Sequence, residues 1–344
     1  MISGCYTALI TPFNKESVDY NGLKSLVDFQ IKNGITGILA VGTTGESPTL
    51  LWEEHNRIIE EIAAKTKNNC PCIAGTGSNN TKESINATRH AAQAGVDAVL
   101  LVDPYYNGPS SLEIRREYIE PVAKTFPEIE IIPYIIPGRT GAQLLPEDLA
   151  ILNSTFKNIN TVKEATGNID NMKQTRKCCG PDFTIMSGDD SMTLQMITDA
   201  DIKAAGVISV LSNIIPGHVT KIVKLLANKE VEKAGEILSA VKPLYELVTV
   251  TTKEITKHGE VTCRARNPLA VKTLMSILGM PSGGCRRPLG KMTQNGIKQV
   301  LETARKVQKK TPEVFKPVED FFEVDVEARL NNPENWKALY YDKY

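Results

Sequence analysis

Residues 37–46 read Gly-Ile-Leu-Ala-Val-Gly-Thr-Thr-Gly-Glu, and a segment with helical spacing of apolar residues follows at 52–67. A short apolar run that ends in glycine and polar residues is typical of a buried strand. A strand, a loop and a helix in this order form one unit of a parallel sheet, because parallel strands need a long crossover connection. The stretch therefore predicts an α/β fold.

The same unit recurs on both sides of this stretch. Further helices are predicted at 21–33, 81–94, 112–126 and 146–152, each between two strand candidates. An open doubly wound sheet is the competing architecture, but eight strand-helix units in roughly 230 residues favour a closed (β/α)8 TIM barrel. The predicted strands are 6–13, 37–42, 71–77, 98–104, 130–137, 160–165, 183–188 and 205–211.

The pattern changes after the eighth unit. Segments 222–226, 231–250, 267–278 and 293–307 are predicted helices with no strand between them, which favours a helical C-terminal domain. We therefore expect a barrel domain over residues 1–228 and a helical domain over 229–344, with an aromatic-rich extended tail from about residue 312. Its aromatic side chains favour packing over its own domain or a neighbouring subunit; a loosely ordered extension is the alternative.

The composition indicates a globular protein with a small-molecule partner. The 344 residues include 40 basic and 40 acidic side chains, and this balance lacks the positive footprint of a nucleic-acid binder. Apolar runs are too short for a membrane span and the N-terminus is unlike a secretory signal, so we expect a cytoplasmic protein with no membrane partner. The seven scattered cysteines favour reduced thiols over a disulfide framework.

Neither a metal nor a nucleotide cofactor is expected. The four histidines show no ligand spacing, and Cys70-Pro71-Cys72 has no second cysteine pair at the distance typical of a zinc site. No GxxxxGK[ST] or GxGxxG phosphate loop occurs in the sequence. The chemistry is therefore expected to rest on side chains and backbone groups alone.

Reactive groups of TIM barrels come from the carboxyl ends of the strands. After the second predicted strand, the turn 42–46 offers two hydroxyls and a row of backbone N–H groups, which suit a carboxylate. Tyr105 and Tyr106 follow the fourth strand, and the fifth carries Tyr134 ahead of Arg139. Tyrosine hydroxyls can relay protons, and an arginine fork binds a carboxylate. The alternatives are a plain glycine-rich loop for residues 42–46, packing at the rim of the barrel for Tyr105 and Tyr106, and a surface ion pair for Arg139.

The sixth strand, Ile159-Asn160-Thr161-Val162-Lys163-Glu164-Ala165, is the most informative because it places a lysine near its end. If Lys163 points into the barrel, loss of hydration lowers its pKa, and the neutral amine can attack a carbonyl to form a Schiff base. A lysine that points to solvent is the alternative, since buried lysines are rare. The small residues at 187–190 and 206–209, on the next two strands, suit the lining of the same pocket.

These motifs together resemble those of a known family. In order and spacing, Gly42-Thr43-Thr44-Gly45-Glu46, Tyr105-Tyr106, Tyr134 with Arg139-Thr140-Gly141, and Lys163-Glu164-Ala165 are similar to the dihydrodipicolinate synthase family, within the pyruvate-dependent class I aldolase superfamily. The resemblance covers about residues 1–300. It implies a lyase of lysine biosynthesis by the diaminopimelate route, which condenses pyruvate with L-aspartate 4-semialdehyde.

The resemblance also implies the roles of individual residues. Pyruvate forms an imine with Lys163, which becomes an enamine and attacks the aldehyde. Thr43, Tyr134 and Tyr106 match the proton relay of the family, in which Tyr106 comes from an adjacent subunit of a homotetramer. The match extends to the substrate-binding positions: Thr44 for the pyruvate carboxylate, Arg139 for the carboxylate of the second substrate, and Gly188 and Ile208 through their backbone carbonyls.

A regulatory site is implied in the same way. The matching positions bind L-lysine as a feedback inhibitor at a subunit interface of the family, and we expect an allosteric site of this kind here. The alternative for Trp52 and His55 is that they simply cap and pack a crossover helix. The expected lysine-binding residues are Ser47, Trp52, His55, Asn79, Glu83 and Tyr105.

The sequence also departs from the family pattern. Ile135 stands where the family usually has asparagine after the tyrosine, and the stretch 253–266 is enlarged. Sister enzymes share the lysine and the Gly-Thr-Thr-Gly-Glu loop, but N-acetylneuraminate lyase and the sugar-acid aldolases usually lack the Arg-Thr-Gly run. The alternatives are therefore a retro-aldolase that cleaves a 2-oxo sugar acid, and a non-catalytic barrel that senses pyruvate or lysine.

Overall fold

A computed structural model describes residues 2–344 and shows a closed barrel of eight parallel strands. Each strand pairs with its sequence neighbours, and the first pairs with the last, so the predicted TIM barrel is confirmed. The strands are β1 Gly4–Ala8, β2 Gly37–Ala40, β3 Cys72–Gly75, β4 Ala98–Val102, β5 Glu130–Ile135, β6 Thr161–Glu164, β7 Thr184–Ser187 and β8 Gly206–Ser209.

The first strand begins and ends earlier than the predicted 6–13. The chain leaves the ladder after Leu9, because the Ile10 N–H donates to the side chain of Asn213 at 3.0 Å instead of to a neighbouring strand. Phe13–Asn14 then pairs with Ser17–Val18 in a small antiparallel hairpin. The apolar residues at 10–13 are buried, as the sequence suggests, but outside the barrel ladder.

The barrel strands bury both faces, which explains their nearly continuous apolar runs. One face fills the barrel and the other packs against the surrounding helices. On β5, for example, Tyr134 belongs to the inner layer and Ile135 to the outer core. The inner layer consists of Tyr6, Ala8, Leu39, Ile73, Ala98, Leu100, Ile132, Tyr134, Met186 and Ile208.

A helix follows every barrel strand. Several start at side-chain caps: the Asn80 side chain accepts a hydrogen bond from the Lys82 N–H, and that of Asn168 from the Asp170 N–H. The helices are α1 Tyr20–Lys32, α2 Trp52–Thr66, α3 Thr81–Ala94, α4 with its consecutive parts Ser111–Glu113, π-helical Ile114–Ile119 and Glu120–Thr125, α5 Pro146–Thr155, α6 Ile169–Cys179, α7 Thr193–Thr198 and α8 Pro216–Ala227.

The C-terminal region contains helices and one antiparallel hairpin. The prediction of helices with no strand between them was wrong here, because Thr249–Thr256 and Gly259–Arg266 are strands that pair along their full length. Their β-branched residues favour strands, and Gly259 supplies a positive φ of 120° at the turn. The elements are α9 Val231–Tyr245, β9 Thr249–Thr256, β10 Gly259–Arg266, α10 Leu269–Leu278, α11 Gln294–Lys310, α12 Lys316–Phe322 and α13 Val326–Asn331.

The aromatic-rich tail packs on its own chain. The rings of Phe321 and Phe322 lie 5.3 and 5.2 Å, centroid to centroid, from the ring of Phe29 on α1. The Arg329 guanidinium donates to the carbonyl of Ile277 at the end of α10 at 2.8 Å. The tail therefore covers part of both the barrel and the C-terminal helices.

Some features are absent from the part of the chain that the structure describes. Over residues 2–344, no helix is both long and apolar enough to cross a membrane. The same residues contain no cluster of three or more side chains suited to hold a metal ion.

Candidate active site

A cavity of about 400 Å³ opens at the carboxyl ends of β2 to β5. Thr43 and the turn after β2 form one wall, and Tyr134 with Arg139 forms another. This is the face at which TIM barrels carry their chemistry. The cavity is therefore the candidate active site.

Lys163 lies beside this cavity at the end of β6. Its side chain is 4% exposed, and its Nζ lies 4.1 Å from the centroid of the Tyr134 ring, because β5 and β6 pair Tyr134 with Lys163. Burial, and secondarily the positive charge of Arg139, lower the pKa of Lys163 to about 7, although the Asp190 carboxylate opposes this shift. A large fraction of the amine is therefore neutral near pH 7 and can act as a nucleophile.

Gly188 provides space for the lysine. A Cβ atom at this position would lie 2.8 Å from Cβ of Ala165 and 3.2 Å from Cε of Lys163. The Gly188 N–H donates to the carbonyl of Glu164 at 2.7 Å, which fixes the loop after β7 against β6. Ile208, also predicted to line the pocket, is 1% exposed and packs in the inner layer with Tyr134.

The threonine loop is held in a strained conformation. Val41 and Glu46, at its two ends, have φ values of 46° and 58°, which are rare for residues with a Cβ and exceptional for a β-branched one. Thr43 faces Tyr134 in the cavity. Thr44 is 2% exposed, and its hydroxyl oxygen accepts a hydrogen bond from Nδ2 of Asn267 at 2.9 Å. The loop places both threonines at the carboxyl end of the barrel.

Tyr134 is buried, and burial raises the pKa of its hydroxyl. The charge of Arg139 and a hydrogen bond with the Thr43 side chain act in the opposite direction and stabilise the phenolate. These two groups suit proton transfer by the tyrosine, since they reduce the cost of removing its proton.

Arg139 belongs to a helical turn, Pro137–Thr140, directly after β5. Its Nη2 donates to the backbone carbonyl of Asn267 at 3.1 Å. Burial of its head and the nearby charge of Arg266 lower its pKa, but a guanidinium keeps its proton at neutral pH. The outer part of the side chain remains open to solvent. Arg139 is thus a cation at the rim of the cavity.

The side chain of Tyr106 lies apart from the residues around the cavity. Its side chain is 93% exposed, its φ is 80°, and it does not line the cavity. A tyrosine held in this conformation and turned outward is unusual. Its expected action from an adjacent subunit stays a prediction.

The residues expected to bind lysine line the same cavity, except Asn79, whose side chain accepts the Tyr105 N–H at 2.7 Å. The Trp52 and His55 rings lie 5.0 Å apart. Burial lowers the pKa of His55 to about 4, so the ring is neutral; its Nε2 lies 3.0 Å from the Gly75 carbonyl, and its Nδ1 has no partner in the described structure. The remaining lining residues of this set are Ser47, Glu83 and Tyr105.

The substitution at Ile135 has a structural explanation. The side chain is fully buried and belongs to the outer core, on the opposite face of β5 from Tyr134. It therefore contributes apolar packing against the helices. The polarity of the cavity does not depend on it.

Sequence reasoning missed two residues that support the site. Asn267 holds Thr44 through its side chain and Arg139 through its carbonyl. Lys272 donates to the Glu46 carboxylate at 2.6 Å, and both side chains are fully buried. The signal for Lys272 is a single charged residue in the otherwise uncharged segment Leu269–Leu278, which predicts a buried partner.

Comparisons with known proteins give matches over most of the chain. The model of the dihydrodipicolinate synthetase family matches residues 1–307. The chain is 41% identical over 307 residues to a 4-hydroxy-tetrahydrodipicolinate synthase of Endomicrobium trichonymphae, covering 89% of this chain and 98% of that protein. The structure of the corresponding synthase of Methylacidiphilum fumariolicum SolV superimposes with a TM-score of 0.82 at 34% identity, covering 92% and 99% of the two chains. A crystal structure of DHDPS from Cyanidioschyzon merolae with lysine bound gives a TM-score of 0.80 at 32% identity, covering 89% and 98%.

Proposed function

The chain belongs to the dihydrodipicolinate synthetase family, and from this membership we propose that it catalyses the 4-hydroxy-tetrahydrodipicolinate synthase reaction. In this reaction pyruvate condenses with L-aspartate 4-semialdehyde on the diaminopimelate route to lysine. The observation that carries the proposal is Lys163, a buried lysine with a lowered pKa and no carboxylate partner among residues 2–344, beside a cavity at the carboxyl end of the barrel.

The first step forms the Schiff base. The neutral Lys163 amine attacks the C2 carbonyl of pyruvate, and the carbinolamine loses water to give an imine. Thr44 and the backbone N–H groups of its loop hold the pyruvate carboxylate. Tyr134, with its hydroxyl beside Thr43, donates and accepts the protons that this addition and dehydration require.

The second step forms the carbon–carbon bond. A proton leaves the methyl group of the imine, and the resulting enamine attacks the aldehyde carbon of the semialdehyde, whose oxygen takes up a proton. The amino group of the second substrate then attacks C2, closes the ring and expels the Lys163 amine. Tyr134, Thr43 and Tyr106 are the proposed proton relay, and the backbone carbonyls of Gly188 and Ile208 are proposed to orient the bound intermediates.

Arg139 is the proposed determinant of the second substrate. Its guanidinium lies at the rim of the cavity, where it can bind the carboxylate of the semialdehyde bidentately. A 2-oxo sugar acid presents hydroxyl groups at this position instead. The arginine therefore favours condensation with the semialdehyde over cleavage of a sugar acid.

A paired assay tests the proposed function. Pyruvate alone should give no turnover, whereas pyruvate with aspartate semialdehyde should give steady formation of the cyclic product. Arg139→Ala should raise KM for the semialdehyde and leave the trapping of pyruvate by borohydride intact. Turnover only with a hydroxylated 2-oxo acid would contradict the proposal.

We also propose that L-lysine is an inhibitor and binds at the walls formed by Trp52, His55 and Glu83. The unpartnered Nδ1 of His55 and the carboxylate of Glu83 are acceptors suited to an ammonium group, and the relative from Cyanidioschyzon merolae was solved with lysine bound. Titration calorimetry should show binding of L-lysine that Glu83→Gln weakens. Absence of binding heat at millimolar L-lysine would contradict this proposal.

A homotetramer is the proposed assembly. The support is Tyr106, which the single chain turns outward at a positive φ, as expected of a side chain that completes the site of a neighbour. Sedimentation velocity should report a mass of four chains. A monomer that retains full activity would contradict both the assembly and the role of Tyr106.

The cytoplasmic location remains a prediction. It is supported by the free thiols of Cys5, Cys70, Cys72, Cys178, Cys179, Cys263 and Cys285, because a reducing compartment preserves such thiols. Cell fractionation with a specific antibody would test it, and recovery in a membrane or secreted fraction would contradict it.

A further inference from the structure

A second arginine approaches the turn that carries Arg139. Arg266 is the last residue of β10, and its Nη1 donates to the carbonyl of Gly138 in a long hydrogen bond of 3.4 Å. From the other side, Nη2 of Arg139 donates to the carbonyl of Asn267, the residue that follows Arg266. The arginine of each segment therefore donates a hydrogen bond to a backbone carbonyl of the other segment.

These two guanidiniums lack a compensating charge. The charge of Arg266 acts on Arg139 and lowers its pKa, which is the effect of a nearby like charge. By contrast, Arg115 and Arg286 have carboxylate oxygens at 2.6 and 2.5 Å. Among residues 2–344, neither Arg139 nor Arg266 forms an ion pair. Two neighbouring unpaired cations, of which Arg139 lines the cavity, suit the binding of an anion.

The hairpin fixes this arrangement. Its two strands pair from Thr249 opposite Arg266 to Thr256 opposite Gly259, so the position of Arg266 is set by an antiparallel ladder. Directly after it, Asn267 donates to the Thr44 hydroxyl at 2.9 Å. The end of the hairpin therefore contacts both places at which the proposed reaction needs to hold a carboxylate.

We propose that Arg266 is a second substrate-binding residue, which acts with Arg139 on the carboxylate of the aldehyde substrate. The inference rests on the proposed function. Arg139 lines the cavity and orients the bound carboxylate, whereas Arg266 is exposed next to the turn that carries Arg139 and attracts the anion before it binds. Pyruvate, whose carboxylate is assigned to the Thr44 loop, should be much less affected by Arg266.

The test compares Arg266→Gln with Arg264→Gln. Arg264 lies two residues earlier on the same strand and is also exposed, so it controls for loss of one positive charge on the hairpin. In Arg266→Gln we expect KM for aspartate semialdehyde to rise roughly tenfold, with kcat and KM for pyruvate changed less than about twofold. The increase should shrink at high ionic strength, because salt screens the attraction. Arg264→Gln should resemble the unmodified protein.

Each outcome decides the proposal. Equal KM values for the semialdehyde in both variants and the unmodified protein would overturn the role of Arg266 and leave the proposed function intact. A change in the sedimentation of Arg266→Gln, with KM raised for both substrates, would overturn it in favour of a subunit contact. If the unmodified protein traps pyruvate but never consumes the semialdehyde, the proposed function itself fails, and the inference fails with it.

Discussion

Two lysines are buried in this molecule in opposite electrostatic surroundings. Lys272, in α10, is 0% exposed, and its Nζ lies 2.6 Å from Oε1 of Glu46 and 2.8 Å from the carbonyl of Thr11. Lys163, at the end of β6, is 4% exposed and forms neither an ion pair nor a hydrogen bond with the residues that the structure describes; its amine faces the Tyr134 ring. Burial lowers the pKa of both.

This difference indicates a structural role for Lys272 and a role in the chemistry for Lys163. A buried charge is tolerated when a partner and hydrogen bonds replace its hydration, as they do for Lys272. A buried lysine without such a partner gives up its proton more readily and becomes a nucleophile. The Lys272 pair instead ties α10 to Glu46, the last residue of the strained threonine loop.

The largest effect is expected from removing the nucleophile. Lys163→Met should lower kcat at least about a thousandfold, because no lysine lines the cavity itself and covalent catalysis by the amine beside it is lost. The melting temperature should not fall, since the substitution replaces an unpaired buried amine with an apolar chain of similar length. Activity within tenfold of the unmodified protein would contradict the comparison.

Removing the structural lysine should act on stability. Lys272→Met should lower the free energy of unfolding in urea by about 3–5 kcal/mol, because the fully buried Glu46 side chain loses its ion-pair partner. Adding Glu46→Gln should recover most of this loss, since no buried charge remains. A double-mutant cycle measures the coupling; strictly additive effects would show that the two residues do not act as a pair.

The pH dependence of borohydride trapping should show that the pKa of Lys163 is lowered. The pKa of Lys163 is about 7, so the reactive amine becomes scarcer as the pH falls below 7. The rate of borohydride trapping with saturating reductant and limiting pyruvate should drop about tenfold per pH unit below that value and level off above it. A rate that keeps rising to pH 10 would indicate an ordinary lysine.

Much of this could be predicted from the sequence. The alternation of apolar runs and amphipathic segments predicts the barrel, and the face shared by Thr161, Lys163 and Ala165 follows from the period of a strand. The hairpin was missed for two reasons. Its strands pair only with each other, so they carry many polar residues and no long apolar run. In addition, 231–250 has a helical pattern up to the β-branched residues at 249–252.

The support of the site was harder to predict because it involves contacts between distant parts of the chain. Asn267 and Thr44 are 223 positions apart, and Lys272 and Glu46 are 226 apart. Only the folded chain brings them together. The outward orientation of Ile135 could have been predicted from the sequence, because neighbouring residues on a strand point to opposite faces and Tyr134 faces inward.

The chemistry is assigned to Lys163 and not to Lys272. Incubation with pyruvate and borohydride, followed by peptide mapping by mass spectrometry, distinguishes the two. We expect one reduced pyruvate adduct per chain, on the peptide that contains Lys163, with Lys272 unmodified. An adduct on another lysine, or no adduct in an otherwise folded protein, would contradict it.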